Sequence, residues 1–361
     1  MTSFPTNELH QTISREFKSY PSTIYAIEEI EKTQNELLSK PSSEAAAWFP
    51  IPKTGEVNFQ SKIDINKIKI TQEYVAVLDK YLDTALKDFT GFSKPGCDGF
   101  VVALSGGLDS AVSTRLLQNY CDKRNKKLEI VIMGRGNHNL KPKYYSGTPA
   151  EWIDIQYAKN MCAELGLDFK YIDINNQYKM FTEGYATEWA KSSALPQIRA
   201  LHLNSQATEN DLISVGSTNG TEFILAAFST GGPAGNIAPL IDLYKSEVYA
   251  VARDIGIPQY IIDRKPLISE LNLSDYSLYG DSQGVDVTIL DPILRRLWYH
   301  KQSPKEVADA LGHSENWVND IYEKRIVGET CRRGYKPLVI NRAFGQEIIE
   351  PDLVINRYYF L

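Results

Sequence analysis

The chain has 361 residues, 43% hydrophobic and 23% charged, with a formal net charge of −6. This size suits one large α/β domain with appendages, or two small domains, and the acidic balance argues against a general nucleic-acid or anionic-membrane binder. No run of about 18 apolar residues offers a membrane span, and the polar stretch 1–20 lacks the apolar core and cleavage site of a secretory signal.

Residues 1–68 read as an extension. The spacing of Ile24, Ile27, Ile30 and Leu38 predicts a helix over 22–38, with Ser22 as its cap. Pro41, Pro50, Pro52 and Gly55 then mark a loop carrying Trp48 and Phe49, an aromatic pair expected to dock on the main body or on a second subunit. Tyr74, Val77, Leu78, Tyr81, Ala85 and Phe89 predict an amphipathic helix over 71–89. Strands are predicted at 100–104, 128–133, 169–174 and 211–215, and helices at 110–120 and 152–165. This alternation indicates a doubly wound parallel sheet, with 69–300 as its domain and 301–361 as a helical segment and tail packed on it. Near the end, Ser303 and Glu306 form a capping box and Gly312 permits a turn, so 303–320 resembles a helix-turn-helix. Its second helix carries Glu315 and Asp320 where a DNA reader wants basic or amide side chains, which favours a packed helical pair.

Cys97, Cys121, Cys162 and Cys331 are widely spaced and make no C-x-x-C, and the five histidines are scattered. Neither a disulfide framework nor a His/Cys metal site is expected, and the setting reads as reducing and cytoplasmic.

The most informative string is Ser105-Gly106-Gly107-Leu108-Asp109-Ser110, between a predicted strand and a predicted helix. Two glycines allow a tight turn and close approach of backbone to ligand. Amides at a helix start favour an anion. An aspartate beside a phosphate loop suggests a magnesium ligand, because bare phosphate would repel it. The bland alternative is a tight turn with Asp109 as a cap. No Lys follows the glycines, so this is not the loop of a P-loop NTPase.

This string resembles the PP-loop of ATP pyrophosphatases, enzymes that cleave ATP between the α- and β-phosphates. Further strings narrow the resemblance to NAD synthetase. They are Gly216-Ser217-Thr218-Asn219-Gly220-Thr221-Glu222, Ile237-Ala238-Pro239-Leu240-Ile241-Asp242-Leu243-Tyr244-Lys245, Ile255-Gly256-Ile257-Pro258, Leu290-Asp291-Pro292-Ile293-Leu294 and Asn341-Arg342-Ala343-Phe344-Gly345. The likeness runs from about residue 98 to residue 345 and implies a PP-loop, Rossmann-like fold. It implies that 105–110 cradles the ATP phosphates, that Ser217 touches ATP, that Lys245 meets the phosphates, and that Asp109 and Glu222 hold Mg²⁺. Asp109, Glu222 and Lys245 are then the catalytic set. The bland readings are a solvated helix-start carboxylate for Glu222 and a helix surface charge for Lys245.

The positions that read the acid substrate in that family keep less. Arg199 matches a substrate-site arginine, but a second arginine two places on is Leu201. Thr230 falls where the family has lysine, Asn236 where it has aspartate, and Glu323-Lys324 where it has a His-Lys or Tyr-Lys pair. Residues 133–151 form a long insertion rich in Gly, Asn, Lys and Tyr. Arg199, Thr230, Asn236 and Lys324 are therefore the candidate substrate-binding residues. The implied reaction adenylates a carboxylate with release of pyrophosphate and then forms an amide with ammonia. Deamido-NAD is the first expectation for the acid. A different carboxylic acid and a tRNA-modifying activity are the alternatives. The resemblance also implies a homodimer. Ammonia is expected free or from a partner, since the first ~90 residues are too few for an amidotransferase domain.

Overall fold

The computed structural model describes residues 24–38, 55–89, 95–225, 227, 235–264 and 286–329. In chain order the helices and strands are α1 (Ile27–Leu38), α2 (Thr71–Asp88), β1 (Gly99–Ala103), α3 (Leu108–Arg124), β2 (Lys127–Gly134), α4 (Pro149–Leu165), β3 (Lys170–Asp173), α5 (Asn175–Thr182), α6 (Glu188–Glu209), β4 (Leu212–Val215), α7 (Gly220–Ile224), α8 (Lys245–Asp254), α9 (Gln259–Ile262), α10 (Val287–Leu294), α11 (Pro304–Leu311) and α12 (Glu315–Ile321).

The four strands form one parallel sheet in the order β3-β2-β1-β4. They are short and rich in Val and Ile, as strands buried on both faces must be. Their residues alternate between two cores. Phe100, Val102, Ile130, Ile132, Ile213 and Val215 point into a large cluster with α2, α3, α4 and α8. Val101, Val131, Met133, Ile172 and Leu212 point the other way, against Leu195, Ile198, Leu203 and Ala207 of α6. Helices thus cover both faces, which is the doubly wound arrangement. From β1 the chain crosses to β2, and from β3 it returns past β1 to β4. The sheet therefore changes direction between β1 and β4, where open α/β sheets place their ligands, outside the carboxyl ends of the strands.

The predicted strands all form, within one residue at most ends. Helix α3 starts two residues before the predicted 110, and α4 starts at Pro149, three before the predicted 152. Thr148 caps α4 by accepting from the Glu151 amide, and Pro149 suits the first helical position. At the N-terminus the helix predicted over 22–38 begins only at Ile27. Tyr25 accounts for the delay. Its hydroxyl donates to the Asn139 carbonyl at 2.9 Å, and its ring meets Trp152 edge-on at 5.0 Å, which holds this stretch outside the helix. Ser22, Trp48 and Phe49 lie outside the described residues.

Helix α1 packs on α4, with Ile30 fully buried and the Tyr157 hydroxyl donating to Gln34 at 2.8 Å. The part of the insertion past β2 folds over the same helix. Trp152 and Gln156 donate to the carbonyls of Leu140 and His138. Residues 55–68 strap the other end of the molecule. The Ile63 amide donates to the Thr288 carbonyl, and the Asn58 amide to His313 Nδ1. The capping box at Ser303 and Glu306 is formed, and Gly312 turns the chain at φ +72°. Val307, Trp317, Val318 and Ile321 are buried in one cluster with α7 and α10, so this is a packed helical pair.

Candidate functional site

The 105–110 loop leaves β1 and enters α3 at the switch point. Gly106 has φ +85°, and a Cβ there would lie 2.0 Å from the Asp154 carbonyl, so both conformation and space demand glycine. Ser110 Oγ donates to the Gly107 carbonyl at 3.0 Å and lies 2.9 Å from Ser105 Oγ, while the Ser105 amide donates to Ser110 Oγ at 3.1 Å. The two serines thus set the curve of the loop. Gly107 caps α3 without a side chain, leaving the start of a 17-residue helix open to an anion.

Asp109, in the first turn of α3, is joined there by residues more than 100 positions away. Lys245 pairs with its carboxylate, and Asn219 Nδ2 donates to Oδ1 at 3.2 Å. Asn219 caps α7 in a capping box whose other member is Glu222. Burial alone would lower the Lys245 pKa. The charges of Asp109 and Glu222, with the Asp109 hydrogen bond, outweigh burial and hold it above the usual lysine range. Lys245 is only 2% exposed, so the surface-charge reading of this residue does not hold.

Asp291, from the Leu290-Asp291-Pro292 string, fixes this cluster from behind. It is 2% exposed. It accepts from the Thr221 hydroxyl at 2.7 Å and the Ser246 amide at 2.8 Å, while the Lys245 amide donates to Thr221 Oγ1 at 2.9 Å. One carboxylate thus joins the starts of α7 and α8. Burial raises its pKa, and the Thr221 and Ser246 hydrogen bonds and the Arg295 charge only partly offset that. Sequence reasoning noted this aspartate only as part of a string. Its partners lie 45 and 70 residues away and left no local pattern.

The remaining candidates divide. Ser217 follows β4 at the same end of the sheet, partly buried. Arg199 donates to Glu151 Oε1 at 2.8 Å, and Arg135 donates to Oε2 of the same carboxylate at 2.9 Å. Arg135 also lines an open cleft of about 750 Å³ with Tyr178, Lys179, Glu183, Tyr185 and Lys191. Leu201 is 57% exposed. Asn236 Oδ1 accepts from Ser214 Oγ at 2.6 Å, which ties it to β4. Lys324 makes an exposed pair with Asp320 on the outer helices. Thr230 lies outside the described residues.

Among the described residues no three His, Cys, Asp or Glu groups gather as a metal site. Two carboxylates, Asp109 and Glu222, nevertheless bear on one ammonium. That excess of hard oxygen donors fits magnesium, which commonly takes one or two carboxylates and completes its shell with water and substrate phosphate.

A parallel sheet with an anion-ready glycine loop at its switch point, backed by a buried lysine and two carboxylates, defines a nucleotide-binding α/β protein of the PP-loop class. A family model for NAD synthase matches residues 75–333. An NH(3)-dependent NAD(+) synthetase of Pyrococcus furiosus is 30% identical over 257 residues, which is 70% of this chain and 91% of that protein. One of Thermococcus kodakarensis is 29% identical over 246 residues, 66% of this chain and 89% of its own. The NH3-dependent NAD synthetase from Campylobacter jejuni shares the fold, with a TM-score of 0.53 and 18% identity over 77% of this chain and 99% of that one. The chain belongs to the NAD synthase family, a family of carbon–nitrogen ligases.

Proposed function

We propose that this chain is an NH3-dependent NAD synthetase that amidates deamido-NAD in an ATP- and magnesium-dependent reaction. The observation that carries the reading is the convergence of Lys245, Asp109, Asn219 and Glu222 on the phosphate loop. A substrate carboxylate attacks the α-phosphate of ATP, giving an acyl-adenylate and pyrophosphate. Ammonia then attacks the acyl carbon, and AMP departs. The amides at the start of α3 and the Lys245 ammonium stabilise negative charge as the pyrophosphate separates. Lys245 is suited to this because it is held firmly protonated. Asp109 and Glu222 would hold magnesium, which when bound neutralises phosphate charge. Asp291 holds Lys245 in place through Thr221.

Free ammonia suits the two buried cysteines. Burial pushes the thiols of Cys121 and Cys162 up to about 12, so neither is an activated nucleophile of the kind that releases ammonia from glutamine. The names of the Pyrococcus and Thermococcus relatives support the same nitrogen source. We further propose a homodimer and a cytoplasmic setting. Among the described residues, no helix is long and apolar enough to cross a membrane.

A second reading keeps the chemistry and changes the acid. Asn236 and Leu201 are uncharged, and Lys324 is engaged on the outer helices. Among the described candidates Arg199, with Arg135 beside it, then orients the substrate, held in place by Glu151.

The bond that breaks tests the ligase reading. With deamido-NAD and ammonium, turnover should give AMP and pyrophosphate in equal amounts. ADP and phosphate as products would refute it.

A further inference from the structure

Arg264 lies two residues past the end of α9, and no sequence pattern singled it out. Its side chain is 10% exposed. Nη1 donates to the Gly106 carbonyl at 2.9 Å, and Nη2 pairs with the Asp154 carboxylate. The guanidinium lies 5.3 Å from the Tyr157 ring centroid, a cation–π distance. A side chain on Gly107 would begin 3.7 Å from Nη1, so the guanidinium borders the space in front of the α3 amides. Its Nε is buried and finds no hydrogen-bond acceptor among the described residues. A guanidinium carries five donors in a fixed fork that matches phosphate oxygens. Gly106 and Asp154 orient two of its nitrogens, and Nη1, beside Gly107, has a second N–H to offer. The Tyr249 phenol feels the charges of both Lys245 and Arg264, so the two cations share one neighbourhood.

We propose that Arg264 is a further catalytic residue, a second cation that binds the pyrophosphate leaving group of ATP. The proposal rests on the ligase reading above. In the adenylation step a carboxylate oxygen forms a bond to the α-phosphorus. The bond from that phosphorus to the bridging oxygen breaks, and its electron pair stays on the departing pyrophosphate. No proton and no redox partner is needed. Arg264 meets the charge that develops there, while Asp154 fixes the plane of the fork and Gly106 ties it to the loop.

Calorimetric titration of the full chain with inorganic pyrophosphate and with AMP, in magnesium buffer, tests this. Arg264→Gln should weaken pyrophosphate about tenfold or more, the worth of a hydrogen bond to a charged group. AMP should bind within about twofold of wild type, and AMP formation under saturating substrates should slow by ~100-fold. Arg264→Lys keeps the charge and loses the fork, so its pyrophosphate affinity should fall between the two. It also carries the test if the glutamine variant does not fold by circular dichroism. Unchanged pyrophosphate affinity in a folded variant overturns the proposal. Equal losses for AMP and pyrophosphate also overturn it, since they would mean that Arg264 only shapes the loop. A wild-type chain that binds neither ligand overturns the ligase reading itself, and Arg264's role with it.

Discussion

Lys245 is enclosed by two carboxylates of different standing, and that difference separates their variants. Asp109→Asn removes the direct partner of a buried ammonium. It should slow AMP formation by ~100-fold and cost about 3 kcal/mol of stability, as breaking a buried pair does. Glu222→Gln should slow turnover by a similar ~100-fold with little change in melting temperature, because glutamine can still close the Asn219 capping box. Wild-type rates in both variants would make these carboxylates structural. Away from the site, Lys159 is fully buried in α4, and burial pushes its pKa down from 10.5 to about 8. The folded state therefore favours the neutral amine. That stability is fully present above pH 10.5 and is lost as the pH falls through about 8. Lys159→Met should remove this slope and stabilise the chain at pH 7 by up to roughly 3 kcal/mol, the equivalent of the displacement from 10.5. Urea denaturation of both proteins at pH 7 and pH 10 checks this, and an equal gap at the two pH values would count against it.

Elements with a clean period were legible in the sequence, and elements shaped by distant partners were not. Tyr74, Leu78, Tyr81 and Ala85 recur on one face, so α2 was visible and those four are buried, while Val77 and Phe89 are only partly buried and Leu82 and Leu86 join the core unannounced. The Val- and Ile-rich runs between glycines and polar residues gave all four strands. Helix α6 was missed because Pro196 interrupts it, a residue that normally ends helices. Its hold comes instead from Leu195, Ile198 and Leu203 packed on the back of the sheet. Within the site, Ser105 to Ser110, Glu222 and Lys245 were legible because each sits in a local string. Arg264 and its partner Asp154 are 110 residues apart, and only the fold joins them. Helix α1 was visible from its period, but its start depends on tertiary contact, and it needs α4 to bury Ile30. Ile30→Ala should cost about 2–5 kcal/mol, the usual range for a fully buried large aliphatic side chain. Thermal melts of the full chain test that, and an unchanged melting temperature would show that α1 contributes nothing to the core.

At the scale of the whole molecule, the sheet and its two cores bring four distant segments to one end of β1 and β4. Residues 105–110, 216–222, 245–246 and 264 are separated in sequence and joined by hydrogen bonds or ion pairs through Asp109, Thr221 and Gly106. The proposed ATP side of this assembly carries the charges of Lys245, Asp109, Glu222 and Arg264. The proposed acid side rests on Arg199 and Arg135, which share Glu151, while Asn236 is neutral and Leu201 exposed. Losing a buried charged contact typically costs roughly 2–5 kcal/mol, so the affinity for the acid responds strongly to these positions. The direct measurement is steady-state AMP release with deamido-NAD, ATP and ammonium. The expected kcat/KM for deamido-NAD is above ~10⁴ M⁻¹s⁻¹, the lower end of the usual enzyme range. No AMP release with deamido-NAD from a chain that still binds ATP would contradict it, and would assign the same adenylating machinery to a different carboxylic acid.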